Sequence, residues 1–310
     1  MDRSIFEQVT SALTVKAICS PMGVDIGLHD TLSALQELSL ETGTDPFSCP
    51  SRVLGSDGSV RGIVWGDDWG IWEGDDPNPL VSEVMEGLEP SQFLSSATTI
   101  LDAVEIFSSK STARYFYVID VNDVVGVIFY EDIFRPLGRL AFLALALEIE
   151  DQALSLCQSG SLNQKCWQCI SDNRRRKAIE LFNNRYKREP ILEPDTSDEI
   201  SKAFSRSRTM SDIGVLIGCT NLVDKATMIW KQKLINPATQ ADVLGFFNDL
   251  KEIRDQCAHP GGAEELIPKQ RLAHFVSSAK RMRDSLGEAI KFHGVTTEKR
   301  TLPIDLEIPF

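Results

Sequence analysis

Along residues 1 to 138 apolar and polar positions alternate in short runs bounded by turn residues. Tyr115 to Ile119 reads as a strand, Asp120-Val-Asn-Asp123 as a turn and Val124 to Phe129 as the return strand. Arg52 to Leu54, Gly55-Ser-Asp-Gly58 and Val60 to Trp65 repeat that plan upstream, and Thr31 to Leu35 and Ile100 to Val104 each begin a helical pattern. After Pro136-Leu137-Gly138 the spacing of apolar residues becomes helical, which marks a domain boundary. It predicts helices over Leu140 to Leu156, Arg174 to Arg188 (ended by Pro190), Asp198 to Phe204, Ile213 to Leu234 with an interruption near Gly218, Gln240 to Cys257 and Pro268 to Phe292. Short connections between about five helices fit an up-and-down bundle. The tail from Leu302 to Phe310 alternates again, as an edge strand or a segment swapped onto a partner would. The expected fold is α+β: an α/β module over 1–138, an all-α bundle over 139–301 and a tail over 302–310.

The first 138 residues contain one supersecondary unit twice. Gly62-Ile63-Val64-Trp65-Gly66-Asp67-Asp68 and Gly126-Val127-Ile128-Phe129-Tyr130-Glu131-Asp132 share a glycine, two β-branched residues, an aromatic and a closing Asp, 64 positions apart. Val15 to Met22 and Val81 to Met85 lead into the two copies. The pair resembles a tandem of CBS domains, a Bateman module, with copies at about 10–76 and 77–138, and residues 81–135 carry the fuller match. That resemblance implies an adenine nucleotide as a regulatory ligand, with Asp68 and Asp132 accepting from ribose hydroxyls and Gly62 and Gly126 permitting tight strand geometry. The Thr of the family's Gly-x-x-Thr-x-x-Asp element is replaced by Trp65 and Phe129, which suit either stacking on a base or packing in a core. Both Asp residues also suit the caps of strand-to-helix turns.

Charge divides the chain. Residues 1–138 hold 7 Lys/Arg against 22 Asp/Glu, a net of −15, and residues 139–310 hold 25 against 23, a net of +2. The acidic half is a poor surface for nucleic acid, so any approach to a phosphate backbone falls to the second half. Its densest basic stretch is Arg174-Arg175-Arg176-Lys177, followed by Arg185, Lys187 and Arg188. This stretch is either a solvated helix face or an RNA-guiding surface. Trp65 to Asp76 holds three Trp residues among five acidic ones, as an unusual loop or a partner surface would.

Arg254, Asp255 and His259 stand at the end of the stripe Val243, Phe246, Phe247, Leu250, Ile253 and Cys257, and Pro260-Gly261-Gly262 stops the helix. Thr239-Gln-Ala-Asp242 opens it as a capping box. A guanidinium suits a phosphate and an imidazole exchanges a proton near neutral pH, a combination that cleaves RNA without a metal. Five residues turn through about 140° net, so Arg254 and His259 do not share one face of a straight helix. The segment resembles the Arg-polar-x-x-x-His signature of HEPN ribonucleases, which implies two motifs meeting across a homodimer. It further implies attack by the RNA's own 2'-OH, with Arg254 on the scissile phosphate, His259 moving protons and Asp255 orienting one of them. Gly261 stands where the adenylyl-transferring variant of the family has Tyr. A stress or defence role follows by analogy. The alternative is a nucleotide-sensing regulatory protein whose helical part binds a partner and cleaves nothing, with Arg254 and His259 simply favoured at a helix C-terminus.

Cys166-Trp-Gln-Cys169 has the spacing of a redox or zinc knuckle, but Cys157 is the one further thiol nearby and zinc takes four ligands. Two buried thiols in a helical core are expected instead. His274 and His293 lack a motif of partner carboxylates. No Walker loop, dinucleotide fingerprint or serine elbow is present. The longest strongly apolar run, Leu140 to Leu147, falls far below the roughly 20 residues of a membrane span. With seven Cys in no regular framework and no apolar leader after Met1, the expectation is a cytoplasmic protein with no metal and no catalytic cofactor.

Overall fold

The computed structural model describes residues 5–45, 49–66, 78–110, 112–159, 162–186, 210–235, 240–258 and 267–294. Residues 67–76 of the Trp65 to Asp76 stretch, and the expectations placed on 198–204 and 302–310, lie outside these. The chain folds as two compact units, residues 1–144 with 255–276, and residues 145–254 with 277–310. The α+β class holds: mixed sheets come first and helices follow.

The first unit opens with helix α1 (Ile5–Ala12), a 3-10 turn at Val15–Ala17 and strand β1 (Ser20–Pro21). The first repeat is then β2 (Asp25–Gly27), α2 (Leu32–Thr42), β3 (Ser51–Leu54) and β4 (Val60–Val64). A short helix α3 (Val81–Val84) and strand β5 (Glu86–Gly87) lead to the second: β6 (Phe93–Ser95), α4 (Ile100–Ser109), β7 (Tyr115–Asp120) and β8 (Asp123–Phe129). The two sheets have the same plan. One runs β5-β4-β3-β2 and the other β1-β8-β7-β6, each with two antiparallel pairings followed by one parallel pairing. The hairpins even slip register at equivalent places, between Val53 and Leu54 and between Val118 and Ile119.

The strand order shows an exchange. β1, which precedes the first repeat, pairs with β8 of the second, and β5, which precedes the second, pairs with β4 of the first. The lead-in segments are clasped the same way. The Val15 amide donates to the Thr98 carbonyl (2.9 Å) and Ile100 to Leu13 (3.1 Å), while Val81 donates to Asp30 (2.8 Å) and Leu32 to Pro79 (3.0 Å). Thr99 and Thr31 cap α4 and α2 at these junctions, accepting from the Asp102 and Ala34 amides.

Exchange explains the paired glycines. Gly126 faces Pro21 and Gly62 faces Gly87 across the ladder. A Cβ on Gly126 would lie 2.5 Å from the Ser20 carbonyl oxygen, and one on Gly62 would lie 2.8 Å from that of Glu86. Neither glycine needs a left-handed backbone; each is required by the close approach of a foreign strand. Both faces of β4 are buried, since Val64 packs with Leu32, Leu35 and Val53 of its own repeat and Ile63 packs with Tyr117, Val124 and Val127 of the other sheet. That double burial accounts for the unbroken apolar run at the end of the strand.

The helices that follow are α5 (Pro136–Gln158), α6 (Asn163–Gln168), α7 (Asp172–Tyr186), α8 (Met210–Gly218), α9 (Leu222–Lys231), α10 (Gln240–Ala258) and α11 (Lys269–Phe292). Pro136, Leu137 and Gly138 form the first turn of α5, where Pro is favoured. The expected helix over 213–234 is two helices, because Asn221 starts α9 with its own capping box, accepting from the Asp224 amide at 2.8 Å. The stripe on α10 is as expected, with Val243, Phe246, Phe247, Leu250 and Ile253 buried.

Gly126→Ala is expected to lower stability by about 1–3 kcal/mol through overpacking, while Gly87→Ala, with nothing within 4 Å of an added Cβ, leaves it nearly unchanged. Urea midpoints of the two variants measure the contrast, and equal effects would contradict the exchange as the reason for Gly126.

Candidate functional site

β8 ends in a 3-10 turn, Tyr130–Phe134, that feeds α5. Asp132 lies inside it, with only 6% of its surface exposed. Its Oδ2 accepts from the Phe129 amide at 2.8 Å, and its Oδ1 pairs with the Arg135 guanidinium at 2.8 Å. Arg135 also donates to the Ile18 carbonyl (2.9 Å) and to Ser20 Oγ (3.1 Å), and so reaches the exchanged strand. Burial pushes the Asp132 carboxyl above the usual carboxylate range, opposed by the Phe129 amide and by Arg135. Cys19 lies beside the same group, and burial raises its thiol as well.

The result is a shielded carboxylate next to a half-exposed guanidinium, a serine hydroxyl and a glycine edge. A carboxylate and a guanidinium so placed can accept from hydroxyls and hold an anion. Of the sequence-predicted ligand residues, Gly126 and Asp132 share this end of the sheet, Gly62 lies on β4, and Asp68 is outside the described residues. Arg135 was missed by sequence reading, although its place three residues after Asp132 on a turn was a usable signal.

Trp65 and Phe129 pack on each other with ring centroids 5.9 Å apart, and Tyr115 lies 4.9 Å from Trp65. Trp65 Nε1 donates to the Tyr117 hydroxyl (3.1 Å), and Tyr117 and Tyr115 both donate to Glu86 Oε2 (3.0 and 2.8 Å). Gln92 holds the other oxygen at 2.6 Å. Of the two roles open to these aromatics, the structure gives them the core between the sheets. Burial pushes both tyrosine hydroxyls up, which keeps them donors to Glu86.

No protein-family model matches the chain, and a search of curated proteins finds no match. Solved structures do match. A conserved CBS domain protein of Thermoplasma acidophilum is similar at 16% identity over 43% of this chain and 75% of that one, with a TM-score of 0.31. CBSX2, solved in complex with AMP, is similar at 16% identity over 40% of this chain and 94% of that one, with a TM-score of 0.29. The CBS domain of a bacterial CNNM/CorC family Mg2+ transporter, solved in complex with ATP, shares 13% identity over 41% of this chain and 89% of that one, with a TM-score of 0.31. The paired-repeat fold described above rests on this chain's own strand order and register.

In the second unit Arg254 donates to Glu150 Oε2 at 3.0 Å, and Lys225, only 2% exposed, lies 3.4 Å from Glu150 Oε1. Lys225 also donates to the Thr220 carbonyl at 2.9 Å. Arg254 is therefore a positioned cation on α10. Asp255 follows it, a further 100° round the helix, and His259 lies outside the described residues. Burial pushes the Cys257 thiol up to about 11, opposed by Arg139, so it is not a thiolate nucleophile at neutral pH.

Of the basic stretch, Arg174 is paired with Asp224 at 2.9 Å and Arg175 with Asp172, which leaves Arg176 and Lys177 as its exposed members. Cys166 is buried and Cys169 partly so. Among the described residues no three His, Cys, Asp or Glu side chains converge as a metal site, and no helix is long and apolar enough to cross a membrane.

Glu150→Ala leaves Lys225 buried beside no carboxylate of its own pair, and is expected to cost about 3 kcal/mol. Adding Lys225→Met should recover most of that loss in a denaturation double-mutant cycle; independent, additive effects would contradict the pairing.

Proposed function

We propose that the protein is a regulatory sensor of an adenine nucleotide, bound at the Asp132 turn, whose helical part carries the response. The observation that supports this reading is the grouping of Asp132, Arg135, Ser20 and Gly126 where the exchanged strand meets the turn into α5. The Asp132 carboxylate would accept from the ribose hydroxyls, and Arg135, released from it, would turn to the phosphate. A ligand shifts such an equilibrium only as far as it binds the two arrangements differently. Here the difference is the Asp132–Arg135 pair, which the ligand replaces at both ends. Asp68 and Gly62 hold the corresponding sequence positions in the first repeat, where Ile71 stands in place of Arg135.

AMP and ATP are the probes to use, since similar proteins were solved with them. Calorimetry on the full chain is expected to show binding that Asp132→Asn weakens about tenfold or more, the worth of a charge-assisted hydrogen bond. The ionised carboxyl accepts on both oxygens, whereas protonation removes the charge and turns one oxygen into a donor, and burial places its titration above the usual carboxylate range. Affinity should therefore hold at neutral pH and fall on acidification at a higher pH than an ordinary Asp would give. Binding indifferent to Asp132→Asn would refute the site.

A second reading is favoured by the fixed Arg254 on α10: a metal-independent endoribonuclease in which Arg254, Asp255 and His259 act, with two copies of the chain supplying two motifs. Arg254 would steady the scissile phosphate and His259 would move the proton of the attacking 2'-OH. Incubated with total RNA in EDTA, the wild-type chain should then leave 2',3'-cyclic phosphate ends, and Arg254→Ala and His259→Ala should lose at least a hundredfold in rate. Intact RNA with the wild-type chain, with and without nucleotide, leaves the sensor that binds a partner and cleaves nothing.

A further inference from the structure

Tyr130 opens the same 3-10 turn that holds Asp132. Its ring is buried against Phe107 and Phe134, with centroids 5.8 and 5.6 Å away, and its hydroxyl donates to the Ile267 carbonyl at 2.6 Å. Two residues on, Lys269 reaches back. Its Nζ donates to the Ala113 carbonyl at 2.7 Å and lies 5.5 Å from the ring centroids of both Phe107 and Tyr130. The start of α11 is thus tied to the second repeat by one hydrogen bond in each direction and by a cation held over two aromatic faces. All of these residues belong to the first compact unit.

The tie has a direct path to Asp132. That carboxylate fixes the Phe129 amide, so the backbone that enters Tyr130 is set by Asp132 itself. Tyr130 is 4% exposed and Ile267 is 7% exposed, so water has little access to stand in for either partner of their bond. If the turn moves, the Ile267 carbonyl has to follow or lose its donor, and a buried carbonyl left without one is costly. Leu272, whose amide bonds to the Pro268 carbonyl at 3.0 Å in the first turn of α11, is the next residue in line.

We infer that Tyr130 and Lys269 form a relay that passes a change at the Asp132 carboxylate to the first turns of α11. The relay goes beyond the proposed sensor reading, on which it depends only for what the natural signal is. Its parts are a hydroxyl that a Phe would not supply and a Lys ammonium held over two rings.

Hydrogen exchange of the amides from Leu272 to Val276, in the full chain without ligand, tests it. Asp132→Ala is expected to raise their exchange about tenfold in the wild-type background and less than twofold in the Tyr130→Phe background, the non-additivity of residues acting in series. Equal rises in both backgrounds, or none in either, would overturn the relay. Should Tyr130→Phe unfold the unit, Lys269→Met removes only the second tie and supports the same comparison. Adding AMP or ATP to the wild-type chain separates the two ideas. A nucleotide that binds by calorimetry and leaves these amides unchanged overturns the relay and spares the site, whereas absence of binding removes the sensor reading and leaves the Asp132→Ala comparison to decide the relay.

Discussion

The contact between Gly126 and the Ser20 carbonyl, where a Cβ would have only 2.5 Å, is the constraint on which the first unit depends. It exists because β1 completes a sheet to which it does not belong in sequence, and β5 does the same for the other sheet. With its neighbour's strand removed, either sheet would present the backbone edge of β4 or β8, a row of unpaired donors and acceptors. The reciprocal clasps at Val15 and Val81 close the same exchange at the helix ends. Each repeat forms most of its ladder from its own strands but completes its sheet only with the strand that leads into the other, which couples their folding.

The exchange also decides where chemistry can sit. β1 brings the Ile18 carbonyl and the Ser20 hydroxyl to the end of β8, where the 3-10 turn presents Asp132 and Arg135. The carboxylate is shared between a helix-capping amide and a guanidinium, and burial holds its proton more tightly than usual. A group with two internal partners can be re-partnered by a ligand without being left unsatisfied. The turn continues into α5 and is tied to Ile267 through the Tyr130 hydroxyl, so a change of partner at Asp132 has a mechanical route outward. In the second unit Glu150 divides one negative charge between Lys225 and Arg254, which fixes the Arg254 guanidinium at the expense of its mobility.

Much of this was legible because periodicity separates the two halves. Hairpins are marked by alternation and turn residues, helices by spacing at 3.6, and the repeat by the 64-residue offset of Gly62 and Gly126. The exchange was not legible: β1 and β5 are two residues long, too short to carry a pattern, and their partners are distant in sequence. Glu86 gave no signal for the same reason, although it organises Tyr115 and Tyr117. The break between α8 and α9 was expected near Gly218, but its cause is the Asn221 cap just after it. Trp65 and Phe129 are assigned to the core by their edge-on packing against each other and against the Ile63–Tyr117 cluster, which no sequence pattern shows. Arg254 and Asp255 were readable as a motif, whereas the Glu150 and Lys225 partners of that helix come from distant segments with no shared spacing.

The most direct measurement is a backbone amide NMR titration of the full chain with AMP. Because Phe129 N–H reports the Asp132 carboxylate, the account predicts that the amides of Ser20, Gly126 and Phe129 shift together, with one saturation curve. Shifts confined to other residues, or none at millimolar nucleotide, would contradict it.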